Sequence, residues 1–256
     1  MSASTHHLTT GEVASRFGWS PRFIDSLVRT DRIPGVVTDR EPRFDRAALI
    51  DWLEEKLRTL DHEQVVALDN RLAGPEPDDA EFDPITLQLS KQGICWDHPA
   101  TGKSEVLAGL ADFAAASGVL AEPAILLASL AERERLCSTA LPGGVAICHP
   151  RRLLPGIIWK PFIRLVRTRI PVSFGAEDMQ PTRLFFLLGA TSDSGHLQTL
   201  ARLARILDDT TKTALLNAPS AGAAYQIIAC REVAIHRRHQ AWMAENPDTN
   251  FMGDGI

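Results

Sequence analysis

The sequence predicts an α/β fold that carries a separate, small helical module at its amino terminus. Short apolar runs of strand type occur at residues 144–148 and 184–188. They alternate with helical stretches such as 104–117 and 197–207, and this alternation is typical of α/β proteins. Residues 1–60 show a different pattern of short amphipathic helices, so we expect them to form a unit of their own.

Length, composition and charge limit the number of domains and the kinds of function that the chain can have. A chain of 256 residues fits one large domain or two smaller ones. Its 45% hydrophobic and 23% charged residues are ordinary for a globular protein. The net charge of −5 excludes a general coat for nucleic acid, so any binding to nucleic acid has to be local.

The predicted location is the cytoplasm. The amino terminus lacks the apolar core of a signal peptide, because Glu12 and Arg16 interrupt it. The apolar runs are far shorter than the ~20 residues of a membrane helix, so we expect no membrane span. The cysteines have no CxxC spacing and are typical of reduced thiols in a cytosolic protein; they are Cys95, Cys137, Cys148 and Cys230.

The amino-terminal module has the signals of three helices and a hairpin. A threonine cap precedes the first helix, and Ser20-Pro21 provides a cap and a first-turn proline for the second. Pro34 breaks that helix, residues 36–44 suit a β-hairpin, and Asp45 caps a third helix. The apolar residues expected on its buried side are Leu49, Ile50, Trp52, Leu53 and Leu57.

This order of elements resembles the winged helix-turn-helix of the excisionase and MerR proteins. The resemblance implies that the second helix enters the major groove of double-stranded DNA and that the hairpin touches phosphates. It also implies a homodimer that reads paired half-sites. The candidate DNA-binding residues are Ser20, Arg22, Arg29, Arg32, Arg40 and Arg43. Since acidic residues are interleaved with these arginines, a solvated surface or a protein-interaction module is the alternative.

Three motifs in the second half of the chain point to an anion site. Residues 133–139 read RERLCST, and residues 144–149 read GVAICH. The third motif is the apolar run at 184–188, which leads to His196-Leu197. Each histidine follows an apolar run, so the two histidines and Arg133 can converge on one anion.

Together these motifs resemble enzyme IIA of the fructose/mannitol/nitrogen type from the bacterial phosphotransferase system. The resemblance spans residues 85–228 and implies a mixed β-sheet flanked by helices. The family pattern has REELGST before GIAIPH, and a strand of the form PVDLVFLLL before a helix rich in leucine. The sequence departs from it at four positions, where Cys137, Ala140, Cys148 and Met179 replace glycines or proline.

The resemblance assigns a role to each motif residue. His149 would be the nucleophile that forms a phosphohistidine, which requires a neutral imidazole. His196 would begin a helix and donate a hydrogen bond to the phosphate, Arg133 would neutralise its charge, and Ser138 and Thr139 would contact it. No metal and no cofactor is implied. The ordinary alternatives are a surface charge for Arg133 and a helix-ending role for the two hydroxyls.

The predicted organisation has four parts. A helix-turn-helix module at 1–60 is followed by an acidic, proline-containing linker at 61–84. The IIA-like domain occupies 85–228, and a carboxy-terminal extension occupies 229–256.

The predicted function is that of a IIA-like phosphocarrier coupled to a DNA-binding module. His149 would accept phosphate from a phospho-HPr-like carrier, and the chain would act as a phosphorylation-responsive transcriptional regulator. One alternative is a plain IIA component that passes phosphate to a separate IIB for sugar uptake. The other is a sensor or binding protein that is not phosphorylated.

Overall fold

The computed structural model describes most of the chain from residue 7 to residue 245. The described residues are 7–17, 19–30, 33–34, 37–38, 41–59, 65 and 84–245. The expected linker therefore lies almost wholly outside the described residues, as do Arg32, Arg40 and the last residues of the expected extension.

The amino-terminal segment contains three helices and a small antiparallel sheet. Its elements are β1 His7–Thr9, α1 Thr10–Phe17, α2 Pro21–Arg29, β2 Val37–Thr38, β3 Pro42–Asp45 and α3 Arg46–Thr59. The strand order is β1-β3-β2, so the hairpin predicted at 36–44 is present and gains an additional strand, β1. The local sequence does not predict an extended segment at 7–9, and backbone pairing with β3 accounts for the difference.

Local capping explains where these helices begin. Glu12 accepts a hydrogen bond from the Thr9 amide at 2.7 Å, and the Thr9 hydroxyl accepts one from the Glu12 amide at 3.2 Å, which is a capping box. The Ser20 side chain accepts from the Phe23 amide and is followed by a first-turn proline. Asp45 accepts from the Ala48 amide at 2.8 Å, which confirms the predicted cap of α3.

The second half of the chain is built around a five-stranded mixed sheet. Its elements are α4 Ile85–Gln88, β4 Ile94–His98, α5 Lys103–Ala116, α6 Pro123–Leu136, β5 Ala140–Leu141, β6 Val145–Cys148, β7 Phe162–Val172, β8 Thr182–Gly189, α7 Asp193–Ile206, α8 Asp209–Leu216 and α9 Ala221–Glu245. The strand order is β4-β7-β8-β6-β5. β4 and β6 are parallel to their neighbours β7 and β8, whereas β7–β8 and β5–β6 pair antiparallel. The mixed sheet expected from the sequence is therefore present.

Alternate residues of the strands serve two different apolar layers. Ala146 and Cys148 of β6 pack with α5 and α6 on one face of the sheet. Val145 and Ile147 point to the other face, where α7 and α9 pack. The helices of the amino-terminal segment join this second layer, and α3 packs directly on α7. His149 has the same parity as Ile147, so its side chain lies on the face that α3 and α7 cover.

The carboxy-terminal helix α9 runs without a break across residue 228, where the extension was expected to begin. Glu232 of this helix is buried, and its carboxylate accepts hydrogen bonds from the backbone amides of Ile85 and Thr86. It thereby caps the start of α4, so this part of the expected extension packs into the same structure as the sheet.

In the portion of the chain that the structure describes, no helix is both long enough and apolar enough to cross a membrane.

Candidate functional site

The two histidines singled out in the sequence meet at one edge of the sheet. His149 follows β6 directly, and His196 lies in the first turn of α7, which follows β8. Because β6 and β8 are adjacent and parallel, their carboxyl ends lie at the same edge. The two imidazole ring centroids are 5.1 Å apart. The helix begins at Asp193, three residues before His196, and not at His196 itself as the sequence suggested.

Arg133 joins the histidines from the last turn of α6. Its Nε donates to His149 Nε2 at 3.2 Å, and its Nη1 donates to the backbone carbonyl of Cys137 at 3.0 Å. The side chain is buried, so the alternative of a surface charge beside Glu134 is wrong. The structure thus brings together the two histidines and the arginine that the sequence predicted to converge on an anion.

The orientation of His149 determines which nitrogen is available for chemistry. Its Nδ1 lies 2.8 Å from the carbonyl oxygen of Ile147, an acceptor, so Nδ1 carries the proton and donates it. In the neutral ring the lone pair is therefore on Nε2, which faces Arg133 and His196. Nε2 is the atom of this histidine that can act as a nucleophile.

A fourth residue, Glu54, occupies the space between these groups. It comes from α3 in the amino-terminal segment, and the residue is 4% exposed. Glu54 Oε1 lies 2.8 Å from His196 Nε2, and Oε2 lies 3.1 Å from His149 Nε2. Arg133 donates to Oε2 from Nε at 3.2 Å and lies within 3.1 Å through Nη2. One carboxylate therefore contacts all three predicted residues.

The electrostatics of the cluster keep this carboxylate ionised. Burial alone would raise the pKa of Glu54, but the charge and hydrogen bond of His149, together with His196, bring the pKa well below its ordinary value. Burial lowers the pKa of His196, against the opposing hydrogen bond to Glu54. A neutral His196 that donates from Nε2 to a carboxylate fits both directions.

Sequence reasoning missed Glu54, although the sequence contained a signal. Helical spacing on α3 places Ile50, Leu53 and Leu57 on one buried stripe, and Glu54 falls on the same stripe. An acidic residue on an otherwise apolar helix face needs a buried partner. That partner could not be named from the sequence, because 95 positions separate Glu54 from His149.

The two predicted hydroxyl contacts are engaged with protein groups. Thr139 donates to Glu134 at 2.6 Å, and it also lines a cavity of about 50 Å³ beside Glu54, Arg133 and His149. The Ser138 hydroxyl donates to the carbonyl of Phe174 at 2.8 Å. Thr139 is therefore placed beside the cluster, whereas the hydrogen bond of Ser138 joins two loops.

Ion pairs between the amino-terminal segment and the sheet domain flank the cluster. Asp193, at the start of α7, accepts two hydrogen bonds of 2.7 Å from Arg46, and Arg16 lies 3.4 Å away. On another side, Asp51 of α3 lies 3.2 Å from Arg152 and 3.7 Å from Arg151. Each of these contacts joins a charge in the first sixty residues to the opposite charge in the second half.

The donor set of Glu54, His149 and His196 is also one that divalent zinc can use, since their ligand atoms lie within 4.8 Å of one another. Arg133, however, places a permanent positive charge 3.2 Å from both Glu54 Oε2 and His149 Nε2. A guanidinium so close to the ligand atoms repels a metal cation and attracts an anion. The arrangement therefore fits an anion site.

The residues predicted to contact DNA are not part of this cluster. Ser20 caps α2, and Arg22 and Arg29 are exposed on that helix at i and i+7, with the exposed Asp25 between them. Arg43 is exposed on β3 of the hairpin. The described members of the predicted set thus lie on the outside of the amino-terminal segment.

Comparisons with known proteins agree on the second half of the chain. Residues 88–230 match the family described as phosphoenolpyruvate-dependent sugar phosphotransferase system, EIIA 2. A nitrogen regulatory protein of Bradyrhizobium diazoefficiens is 37% identical over 151 residues, which cover 57% of this chain and 95% of that protein. A nitrogen regulatory protein of Pseudomonas aeruginosa is 33% identical over 135 residues, covering 51% of this chain and 84% of its own length.

A solved structure shows the same fold. The crystal structure of nitrogen regulatory protein IIA-Ntr from Neisseria meningitidis superposes with a TM-score of 0.52 at 27% identity. The match covers 56% of this chain and 98% of that one. The family match begins at residue 88, so it leaves out α1, α2 and α3.

Proposed function

The chain belongs to the EIIA 2 family of the phosphoenolpyruvate-dependent sugar phosphotransferase system, and from that premise we propose that it is a phosphorylation-responsive regulator. In this proposal His149 accepts a phosphoryl group from an HPr-like phosphocarrier. The amino-terminal module converts the state of His149 into an output, with double-stranded DNA as its partner.

One observation carries the proposal. A single anion, the Glu54 carboxylate, lies 2.8 Å from His196 Nε2, 3.1 Å from His149 Nε2 and 3.2 Å from Arg133 Nε. Phosphoryl transfer needs a nucleophile in line with the donor and positive or donating groups around the phosphoryl oxygens. His149 Nε2 has the lone pair, Arg133 supplies the charge, and His196 supplies a further donor. The same three groups that hold a carboxylate are suited to hold a phosphoryl group.

The position of the amino-terminal segment favours a regulator over a plain carrier. A component that passes phosphate on to a IIB protein has to present its histidine to two partners in turn. Here His149 is 4% exposed, and α3 lies over it. Access to the histidine is therefore coupled to a second module, which is what a regulator requires.

DNA as the partner rests on the resemblance of residues 1–60 to winged helix-turn-helix modules and on exposed charge. Arg22 and Arg29 on α2, and Arg43 on the hairpin, are exposed and positioned for contact with phosphates or base edges. With a net charge of −5 for the chain, any attraction to DNA has to come from this local surface.

The test of the proposed function is transfer of label from phosphoenolpyruvate through enzyme I and HPr to the full chain. Acid-labile label is expected on the parent and on Glu54→Gln, and it should be lost in His149→Ala. A matched control is His236→Ala, which removes a histidine from α9 and should be labelled like the parent. If a competent HPr labels neither the parent nor Glu54→Gln, the phosphoacceptor assignment is wrong.

A further inference from the structure

We infer that the surface formed by His149, His196 and Arg133 is an interaction surface for the chain's own amino-terminal module. We infer also that Glu54 competes there with the phosphoryl group. Docking of the module and phosphorylation of His149 then exclude each other. This inference rests on the proposed function, because it names how the phosphoacceptor site is regulated.

Glu54 uses the contacts that a phosphoryl group on His149 would need. Its Oε1 accepts a hydrogen bond from His196 Nε2 at 2.8 Å, and its Oε2 lies 3.1–3.2 Å from the Arg133 guanidinium. A phosphoryl group bonded to His149 Nε2 would have its oxygens within reach of the same two side chains. The carboxylate thus occupies the position of the phosphoryl group rather than a neighbouring one.

Space and charge both prevent the two from being bound together. Glu54 Oε2 lies 3.1 Å from Nε2, and the adjoining cavity of about 50 Å³ is of the order of one or two water molecules. A phosphoryl group would also add about −1.5 to −2 charges beside a carboxylate whose pKa is already lowered. One arginine cannot compensate both anions, so the carboxylate has to leave.

Docking also blocks the nucleophile. Nε2 of His149 accepts from Arg133 Nε at 3.2 Å, and Glu54 Oε2 lies 3.1 Å from the same nitrogen. Attack on phosphorus needs the lone pair of Nε2 and an open approach to it. The docked module therefore covers the atom that has to react.

The transfer step can be written in full for the released state. Glu54 leaves, and the lone pair of Nε2 forms a bond to phosphorus. The bond between phosphorus and the donor atom of the phosphocarrier breaks, and its electron pair returns to that atom. Nδ1 keeps its proton and its hydrogen bond to the Ile147 carbonyl throughout.

The apolar surroundings of Glu54 form a packed interface. Leu53 and Leu57 of α3 are buried on the same side as Glu54, in one apolar layer with Leu200 of α7. Buried side chains of this size stabilise the docked arrangement by excluding water from both helices. The module is therefore held on the site by packing as well as by the carboxylate.

Release of Glu54 would act on this interface as a whole. The Arg46–Asp193 pair, at 2.7 Å, joins α3 to the first residue of α7 beside the site. Loss of Glu54 from its position would loosen α3 from α7 and expose the apolar side of α3. That release is the signal that phosphorylation of His149 sends to the amino-terminal module.

The experiment compares the full-length parent with Glu54→Gln and with Glu55→Gln, a matched control one residue away on the exposed side of α3. The first measurement is the initial rate of labelling by phospho-HPr. Loss of the charged hydrogen bonds of Glu54 is expected to speed labelling of Glu54→Gln by roughly tenfold or more, while Glu55→Gln labels like the parent.

The second measurement is amide hydrogen exchange over residues 46–57. Phosphorylation of the parent should raise it, and Glu54→Gln should raise it without phosphate.

The outcomes separate the two proposals. If the parent and Glu54→Gln accept label at the same rate, and phosphorylation leaves exchange in α3 unchanged, competition by Glu54 is overturned while the phosphoacceptor assignment stands. If neither chain accepts label from a competent HPr, the proposed function fails, and the competition that rests on it fails too.

Discussion

Glu54 Oε1 lies 2.8 Å from Nε2 of His196, although the two residues are 142 positions apart in the sequence. The contact joins the third helix of the amino-terminal segment to the helix that follows the central strands. It makes the acidic residue part of a site whose other members all come from the second half of the chain. Changes to the site should therefore affect the junction between the two halves, and changes to the junction should affect the site.

The stability of the chain should fall as pH is lowered from 7 towards 5. The pKa of His196 is lowered by burial from an ordinary 6.5, so above about pH 6.5 its contribution is fully present, and it is lost as pH falls through the folded-state pKa. Glu54 acts in the same direction at lower pH, because its pKa is lowered from 4.5. Urea midpoints of the parent and His196→Gln at pH 7 and pH 5 check this. A parent that loses no more stability than the variant would contradict the contribution assigned to His196.

Removal of the Asp193 carboxylate should weaken the junction between the amino-terminal segment and the sheet domain. Asp193→Asn loses a two-bond pair with Arg46 in which the acid side chain is 4% exposed, and we expect a cost of about 1.5–3 kcal/mol. The control is Asp209→Asn, an acid that is also the first residue of its helix but is 98% exposed. Its cost should be below about 0.5 kcal/mol. Urea denaturation measures both, and equal costs would argue against a structural role for the Arg46–Asp193 pair.

The Cys148 thiol should be unreactive in the folded protein. Burial raises the pKa of Cys148 to about 12, and the thiolate is the reactive form. With iodoacetamide at mildly alkaline pH, the exposed Cys137 and Cys230 should be alkylated first, and Cys148 only after unfolding in denaturant. Peptide mass spectrometry with time gives the order. Rapid alkylation of Cys148 without denaturant would show that β6 opens readily.

Binding to double-stranded DNA, if carried by the amino-terminal module, should depend on Arg43 through phosphates. Arg43→Ala is expected to weaken binding to all sequences about equally and to reduce the salt-dependence slope by about 1. Arg135→Ala, which removes an exposed arginine from α6, is the control and should leave binding unchanged. Fluorescence anisotropy at several salt concentrations makes the comparison. Equal slopes for the three chains would remove Arg43 from the interface.

The meeting of His149, His196 and Arg133 could be anticipated because each lies in a motif that resembles enzyme IIA. Each histidine follows an apolar run that forms a strand, and adjacent parallel strands end at the same edge. Arg133 is in the last turn of a helix a short distance before β6. The resemblance of the motif order to enzyme IIA therefore predicted the cluster, whereas the cap residues Ser20 and Asp45 were predictable from local sequence alone.

The strand β7 shows where local pattern is insufficient. It contains Arg164, Arg167 and Arg169 and a proline, so its sequence does not alternate cleanly between apolar and polar residues. Its place between β4 and β8 is decided by backbone pairing on both sides. Arg164 and Arg167 are nevertheless buried, and Arg167 lies 2.6 Å from Asp97, which no periodicity indicates.

By itself, the sequence determined the α/β class and the caps of α2 and α3, and its motifs predicted that two histidines and an arginine would meet at one site. Only the tertiary structure decided what lies in that site. Periodicity shows that Glu54 is on the buried side of α3, but it does not show which surface α3 packs against. That choice depends on the packing of Leu53 and Leu57 on α7 and on ion pairs such as Arg46–Asp193, which exist only once the two halves of the chain have come together.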